Sequence, residues 1–538
     1  MKMNHLSLEQ TSLWDAAGVK LPKFDWKKMC ETTEEKPVWV HFGAGNIFRG
    51  YIAALQQHLL NEGLAESGII AADTFDFDII NKIYAPYDSM TMMVSLKPDG
   101  TMDREIIASV AKGVRADSSD EQEFEYLKKV FRNPSLQMVS FTITEKGYAL
   151  QDLEGNYFPV VKDDIEQGPA KARHAMSITA ALLNERYNAG AVPVAVVSMD
   201  NCSHNGEKLR NSVITVAKEW KNQGFVEEGF LTWLEDESKV SFPWSMIDKI
   251  TPRPAEVVEE ALKADGIEDM APIITSKNTY IAPFVNAEVP QYLVVEDRFP
   301  NGRPALEKAG VYMTDRETVN KTERMKVTTC LNPLHTALAV YGCLLGYTSI
   351  AAEMKDKDLV KLVETIGYKE GMPVVTDPGI LSPMDFIHEV IDSRLPNPFI
   401  PDAPQRIATD TSQKIPIRFG ETIKSYVADE KLDVKSLKAI PLAIAGWLRY
   451  LLGVDDEGNV MEVSSDPMLP ELKEKLSGVT LGNPDSCDGK LESVLSNAAL
   501  FGLDLTEAGL SEIIITMVKQ MLEGPGAVRK TLQSYLGE

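Results

Sequence analysis

The run VWVHF (38–42) passes directly into GAGNIFRG (43–50), and that junction narrows the folds open to the chain. A short apolar run bounded by a turn signal reads as a buried strand. The pattern after it, Phe48, Ile52, Leu55 and Leu59 at intervals of four, three and four, is helical, and Gly63 and Gly68 punctuate it. GIIAAD (68–73) then reads as the next strand. Strand, glycine turn, helix and strand make a βαβ unit, the building block of a parallel sheet covered on both faces.

The same alternation continues for some 240 residues. Strands are expected at 90–96, 105–111, 137–144 and 192–199, and helices near 120–131, 170–187 and 205–221. A Rossmann-type, doubly wound α/β domain follows from this pattern. Beyond RFPNGRP (298–304) helical periodicity dominates, near 317–331, 334–354, 357–367, 383–393, 418–429, 435–452 and 507–522. The expected architecture is an α/β domain over 1–303 and a mainly helical domain over 304–538. A chain of 538 residues is also too long for one hydrophobic core.

Composition removes several classes of function. With 55 Lys+Arg against 79 Asp+Glu the formal net charge is −24, and such a surface repels nucleic acid and anionic lipid. The 5 cysteines are scattered without a CxxC, which suits a reducing compartment and gives no zinc ribbon. The N-terminus has no apolar h-region, so a cytoplasmic protein is expected. Val327–Ala352 contains no charged residue and has the length of a membrane span. Its Asn332, Pro333 and His335, and the lack of a second such segment, favour a buried helix of a soluble domain.

Two stretches carry chemistry. Gly43-Ala44-Gly45 lies between strand and helix, where a pyrophosphate meets backbone N–H groups and the positive helix end. Asn46, Phe48 and Arg49 belong to the same loop, and Phe48 stands where the usual GxGxxG has its third glycine. In ADTFDFD, Asp73 and Asp76 are the candidates for a ribose 2′-hydroxyl, a choice that favours NAD over NADP. The second stretch runs from Glu323 to His335. Lys326 leads into the uncharged segment, where desolvation of its ammonium group suits it to acid–base work near neutrality. Asn332 and His335, three apart at a helix start, share a face. Asn332 can donate to a developing alkoxide, and His335 can orient a substrate hydroxyl.

GAGNIFRG, TITEKGY (142–148), MDNCSHNG (199–206), SMIDKITP (245–252), VVEDRFPNGRP (294–304) and the Lys–Asn–His segment occur in this order. Together they resemble the polyol-specific long-chain dehydrogenases, a family that includes mannitol 2-dehydrogenases, fructuronate reductases and tagaturonate reductases. The resemblance implies a metal-free, NAD(P)-dependent interconversion of a secondary alcohol and a ketone on an open-chain sugar derivative. It implies Lys326 as general acid/base, Asn201 and Asn332 as amides holding the reacting oxygen, and His335 and Asp248 as partners of substrate hydroxyls. It further implies Arg406 and Lys414 as a basic pair over the substrate, Glu323 as a gate for proton exchange, Glu145 near the nicotinamide, and Asp76 at the ribose. The uronate-reducing members fit best, with D-fructuronate and D-mannonate as the expected pair. Mannitol/fructose and tagaturonate/altronate are the alternatives, and a catalytically silent nucleotide sensor is the alternative from another class. Lys326 and Asn332 are one residue further apart than is usual in the family. A regular helix would turn Lys326 by about 100°, and a π-bulge before Pro333 is expected to absorb the extra residue.

Overall fold

The computed structural model describes residues 1–152 and 154–537. These divide into two compact units, Met1–Asn320 and Lys321–Glu538. The division comes later than 303/304 because Tyr312–Thr314 pairs in parallel with Tyr292–Glu296, tying residues 304–320 to the first unit.

The first unit is built on six parallel strands: β1 (Trp39–Phe42), β2 (Ile69–Asp73), β3 (Val110–Arg115), β4 (Met138–Phe141), β5 (Val194–Ser198) and β6 (Val240–Ser241). Their order in the sheet is β3-β2-β1-β4-β5-β6, so the direction of winding reverses between β1 and β4. A crevice for a ligand opens at such a reversal, beyond the carboxyl ends of the strands. Side-chain alternation dresses both faces. Val40, Phe42, Ile70, Ala72, Val139 and Phe141 face α2 (Glu121–Arg132), α3 (Ala175–Asn188) and α4 (Asn205–Asn222). Trp39, Ile69, Ala71, Met138 and Val197 face Phe48, Ile52 and the helix α1 (Ala53–Asn61). Burial on both sides explains why these strands read as continuous apolar runs.

One expected strand is two. The run 105–111 divides between Met102–Ile107, antiparallel to Thr91–Leu96, and β3 in the main sheet. Gln57 bridges the division: its Nε2 donates to Ile106 O (2.7 Å) and its Oε1 accepts from Ala108 N (2.7 Å). The break satisfies its backbone groups with a side chain, so the apolar sequence runs across it unmarked.

Among the described residues every named strand lies in the first unit. The helix α5 (Arg316–Met325) leads into the second unit, which contains α6 (Asn332–Leu344), α7 (Ala439–Tyr450) and α8 (Ser511–Met521). Helix α6 packs on α7, and α7 on α8. The uncharged stretch Val327–Ala352 is thus interrupted: α6 ends at Leu344 and a separate turn of helix covers Ile350–Glu353. No helix among the described residues is long and apolar enough to cross a membrane.

Among the described residues six helical runs contain a wide π turn: Phe48–Ile52, Ile80–Tyr84, Lys326–Cys330, Thr365–Gly371, Val390–Arg394 and Pro416–Gly420. A π turn takes one residue more than an α turn and recurs at functional sites.

Glu353 is fully buried against α6, and neither carboxyl oxygen has a hydrogen-bond partner. A Cβ on Gly342 would overlap its Oε1, so the glycine makes room for the carboxyl. Burial, with a smaller push from Asp356, raises its pKa from 4.5 to about 9. The folded chain therefore keeps a proton that the unfolded chain releases. The stability this contributes is complete below the unfolded value and is lost as pH rises towards about 9. Glu353→Gln should flatten that slope and raise the melting temperature at neutral pH. Parallel melting curves of the two proteins from pH 5 to 9 would contradict this.

Candidate functional site

At the end of β1 the chain must turn tightly against β4. Gly43 adopts φ +102°, donates to Ala72 O (2.8 Å), and leaves no room for a Cβ, which would overlap the Thr142 carbonyl oxygen. Glycine is required on both counts. Gly45 instead faces open space at the start of the helical run. Phe48 fills the third glycine position from below, fully buried and stacked on His41 with ring centroids 4.2 Å apart. His41 bridges Ser140 (2.7 Å) and Thr142 (2.8 Å), and burial lowers its pKa to about 3, so the imidazole is neutral. Arg49 points into the core, donating to Ala282 O and Asn46 Oδ1 (both 2.9 Å), and burial lowers its pKa to about 10.

The two ribose candidates have different surroundings. Asp73 Oδ2 accepts from Ala44 N (3.1 Å), and its Oδ1 accepts from Phe75 N (2.9 Å) and Asp76 N (2.7 Å). Burial raises its pKa while these three N–H groups pull the other way. Its carboxylate thus ties the glycine loop to the turn after β2. Asp76 is 3% exposed; its Oδ2 accepts from Thr275 Oγ1 (2.6 Å), and its buried Oδ1 has no partner.

On the far side of the reversal point Asp200 joins two loops. Its carboxylate accepts from Ile143 N and Thr144 N (both 2.9 Å) and from Tyr148 Oη (2.5 Å). Thr144 is held at φ +66°, a costly conformation for a β-branched residue. Glu145 follows it, exposed and ion-paired with Lys208. Asn201 stands exposed immediately after Asp200. Asp248 ends the strand Ser245–Asp248 and is buried.

In the second unit Glu323 and Lys326 lie three apart across the end of α5, and Lys326 is 2% exposed. The π turn falls on Lys326–Cys330, with Leu331 N donating to Lys326 O (3.1 Å). Leu331 then leaves helical geometry at φ −133°, ψ −60°, and α6 starts afresh with Pro333 in its first turn. The expected bulge before Pro333 is thus present, and it begins at Lys326 itself. Asn332 and His335 lie half-buried on one face of α6.

The two basic candidates are already engaged. Arg406 pairs with Asp402, whose other oxygen lies 3.4 Å from His335 Nε2. Burial would raise the Asp402 pKa, but His335 and Arg406 hold it below the ordinary value. Lys414 Nζ donates to Ile407 O (2.9 Å) and to Thr409 O. Burial, reinforced by Arg418 and Arg406 against the pull of Asp410 and Asp466, lowers its pKa to about 8. Asp200, Asp402 and Arg418 are the neighbours that sequence reasoning missed. For Arg418 a signal existed: it stands four residues after Lys414, one helical turn along the same face. Among the described residues no group of three His, Cys, Asp or Glu side chains could hold a metal ion.

Residues 38–308 match the mannitol dehydrogenase Rossmann domain, and residues 318–522 match the mannitol dehydrogenase C-terminal domain. The chain is 53% identical over its full length to the D-mannonate oxidoreductase of Thermotoga maritima, covering 99% of that protein. Among solved structures, a substrate-free D-sorbitol dehydrogenase superposes with a TM-score of 0.80 at 27% identity, over 96% of this chain and 98% of that one. The Pseudomonas fluorescens mannitol 2-dehydrogenase, in a ternary complex with NAD and D-mannitol, gives 0.71 at 25% identity over the whole of both chains.

Asp73→Ala orphans three backbone N–H groups, one in the glycine loop and two in the turn after β2, and should cost about 2–4 kcal/mol of stability. Asp76→Ala loses one bond, to Thr275, and should melt closer to the parent while binding NADH about tenfold more weakly. Thermal unfolding and NADH titration of both variants check the pair; the reverse order of melting temperatures would refute it.

Proposed function

This chain belongs to the mannitol dehydrogenase family, and we propose that it is an NAD-dependent D-mannonate oxidoreductase, interconverting D-fructuronate and D-mannonate. The observation that carries the substrate assignment is the 53% identity, end to end, with a D-mannonate oxidoreductase. The residues of the first unit fit a dinucleotide: open space lies over Gly45 at a helix start, and a buried, unpartnered Asp76 Oδ1 lies after β2. When bound, the nicotinamide supplies the hydride donor or acceptor.

The acid–base work falls to Lys326. In ketone reduction its ammonium group gives a proton to the developing alkoxide; in alcohol oxidation the neutral amine takes one away. Asn332 donates its amide N–H to the same oxygen, stabilising charge as it forms, and Asn201 is the second such amide in this reading. Glu323, three residues before Lys326, passes the proton to water. His335, whose Nε2 lies 3.4 Å from Asp402, and Asp248 hold substrate hydroxyls. Because reduction needs charged and oxidation neutral Lys326, the oxidation optimum lies at higher pH than the reduction optimum.

Lys326→Ala should lose at least about a thousandfold in turnover while NADH affinity changes little. Near-parental turnover would remove Lys326 from the mechanism. An NADH-consumption assay with fructuronate, tagaturonate and fructose separates the proposed reaction from its family alternatives, and no consumption with any of them would favour a nucleotide sensor. Lys414 gives a second pH signature. As its ammonium group discharges near pH 8, KM for the anionic fructuronate should rise several-fold. Lys414→Arg should abolish that inflection, and an unchanged KM profile in the variant would show that Lys414 does not sense the substrate charge.

A further inference from the structure

Of the three cations of this cluster, Arg418 is the one held neither by a carboxylate, as Arg406 is, nor by backbone carbonyls, as Lys414 is. It sits in the π turn Pro416–Gly420, which packs both on the π turn Lys326–Cys330 and on α6. Its Nη1 donates to Thr336 Oγ1 (2.6 Å), and Thr336 in turn donates to Asn332 O (3.0 Å). The guanidinium therefore stands beside the helix turn that carries Asn332 and His335. Among the described residues it forms no ion pair, and burial alone lowers its pKa, to about 10. A guanidinium stays protonated at any physiological pH, so a largely desolvated one calls for an anion.

Resting on the proposed reaction, we infer that Arg418 is the specificity-determining residue that receives the carboxylate of the sugar acid. Arg406 is committed to Asp402, and Lys414 spends two of its three N–H groups on backbone carbonyls. The planar fork of Arg418 has donors left for a bidentate carboxylate. Its place fits the substrate's length. Four carbon–carbon bonds of about 1.5 Å separate the reacting carbon of D-mannonate from its carboxylate, a span of ~5 Å. One helical turn, about 5.4 Å, separates Asn332 from the Thr336 level at which Arg418 is held.

The test is calorimetric titration of D-mannonate into the NADH-bound full-length protein, with NADH affinity and melting temperature measured alongside. Arg418→Met should weaken D-mannonate binding ~30–100-fold and leave NADH affinity within about twofold. Arg418→Lys, which keeps the charge and loses the fork, should fall between. Thr336→Val removes the bond to Arg418 but not the guanidinium, and should lose far less. D-mannonate affinity unchanged in Arg418→Met overturns the inference, as does an equal loss in Thr336→Val, which would make Arg418 a structural brace. Should Arg418→Met fail to fold, Arg418→Lys decides: a loss of about fivefold or more supports the role, and an affinity equal to the parent's overturns it. Parent protein that neither binds D-mannonate nor reduces fructuronate would instead defeat the reaction assignment itself.

Discussion

Three backbone N–H groups, from Ala44, Phe75 and Asp76, converge on the carboxylate of Asp73. The shape of the open end of the sheet follows from that convergence. Without it the turn after β1 and the turn after β2 would each carry donors with nowhere to go, at a cost comparable to a good part of a domain's net stability. With it, Gly43 is held against the Thr142 carbonyl and Gly45 is left facing open space. The acid at the strand end thus acts on its own loop, and the neighbouring acid, Asp76, keeps an unpartnered oxygen.

The second unit solves a different problem. For the proposed reaction, a chain with 79 Asp and Glu side chains must present cations to a sugar acid without those cations being neutralised at home. Two of the three are partly spent: Arg406 on Asp402, and Lys414 on the carbonyls of Ile407 and Thr409. Burial first, and repulsion from Arg418 and Arg406 after it, lower the Lys414 pKa to about 8. Arg418 keeps its full charge under the same burial because its pKa starts so much higher.

What could be read from the sequence was whatever is local. The β1–loop–α1–β2 unit was legible because apolar spacing, two glycines and a second strand all fall within 36 residues, from 38 to 73. The π turn was legible only through the family resemblance, as one residue more between Lys326 and Asn332 than the family's usual spacing. The rest depends on partners far away in the chain. The division of 105–111 depends on Gln57, and the difference between Asp73 and Asp76 depends on Thr275. In the sequence Arg418 shows only its place one turn after Lys414; that Thr336, 82 residues earlier, lies 2.6 Å from its guanidinium is set by the fold. Burial of a charge is a property of the fold, and the chemistry of a site is largely made of such properties.

Each of the six π turns contains one basic residue: Arg49, Lys82, Lys326, Lys369, Arg394 and Arg418. A helix with such a turn stores one residue beyond what its length requires. Insertion or loss of a residue in an ordinary helix rotates everything beyond it by about 100° and misplaces a whole face. Where the wide turn absorbs the change, the helix keeps its two ends and only the side chain at the bulge is re-aimed. For this chain that makes single-residue length change a route by which a basic side chain can be redirected while the packed helices on either side stay in register.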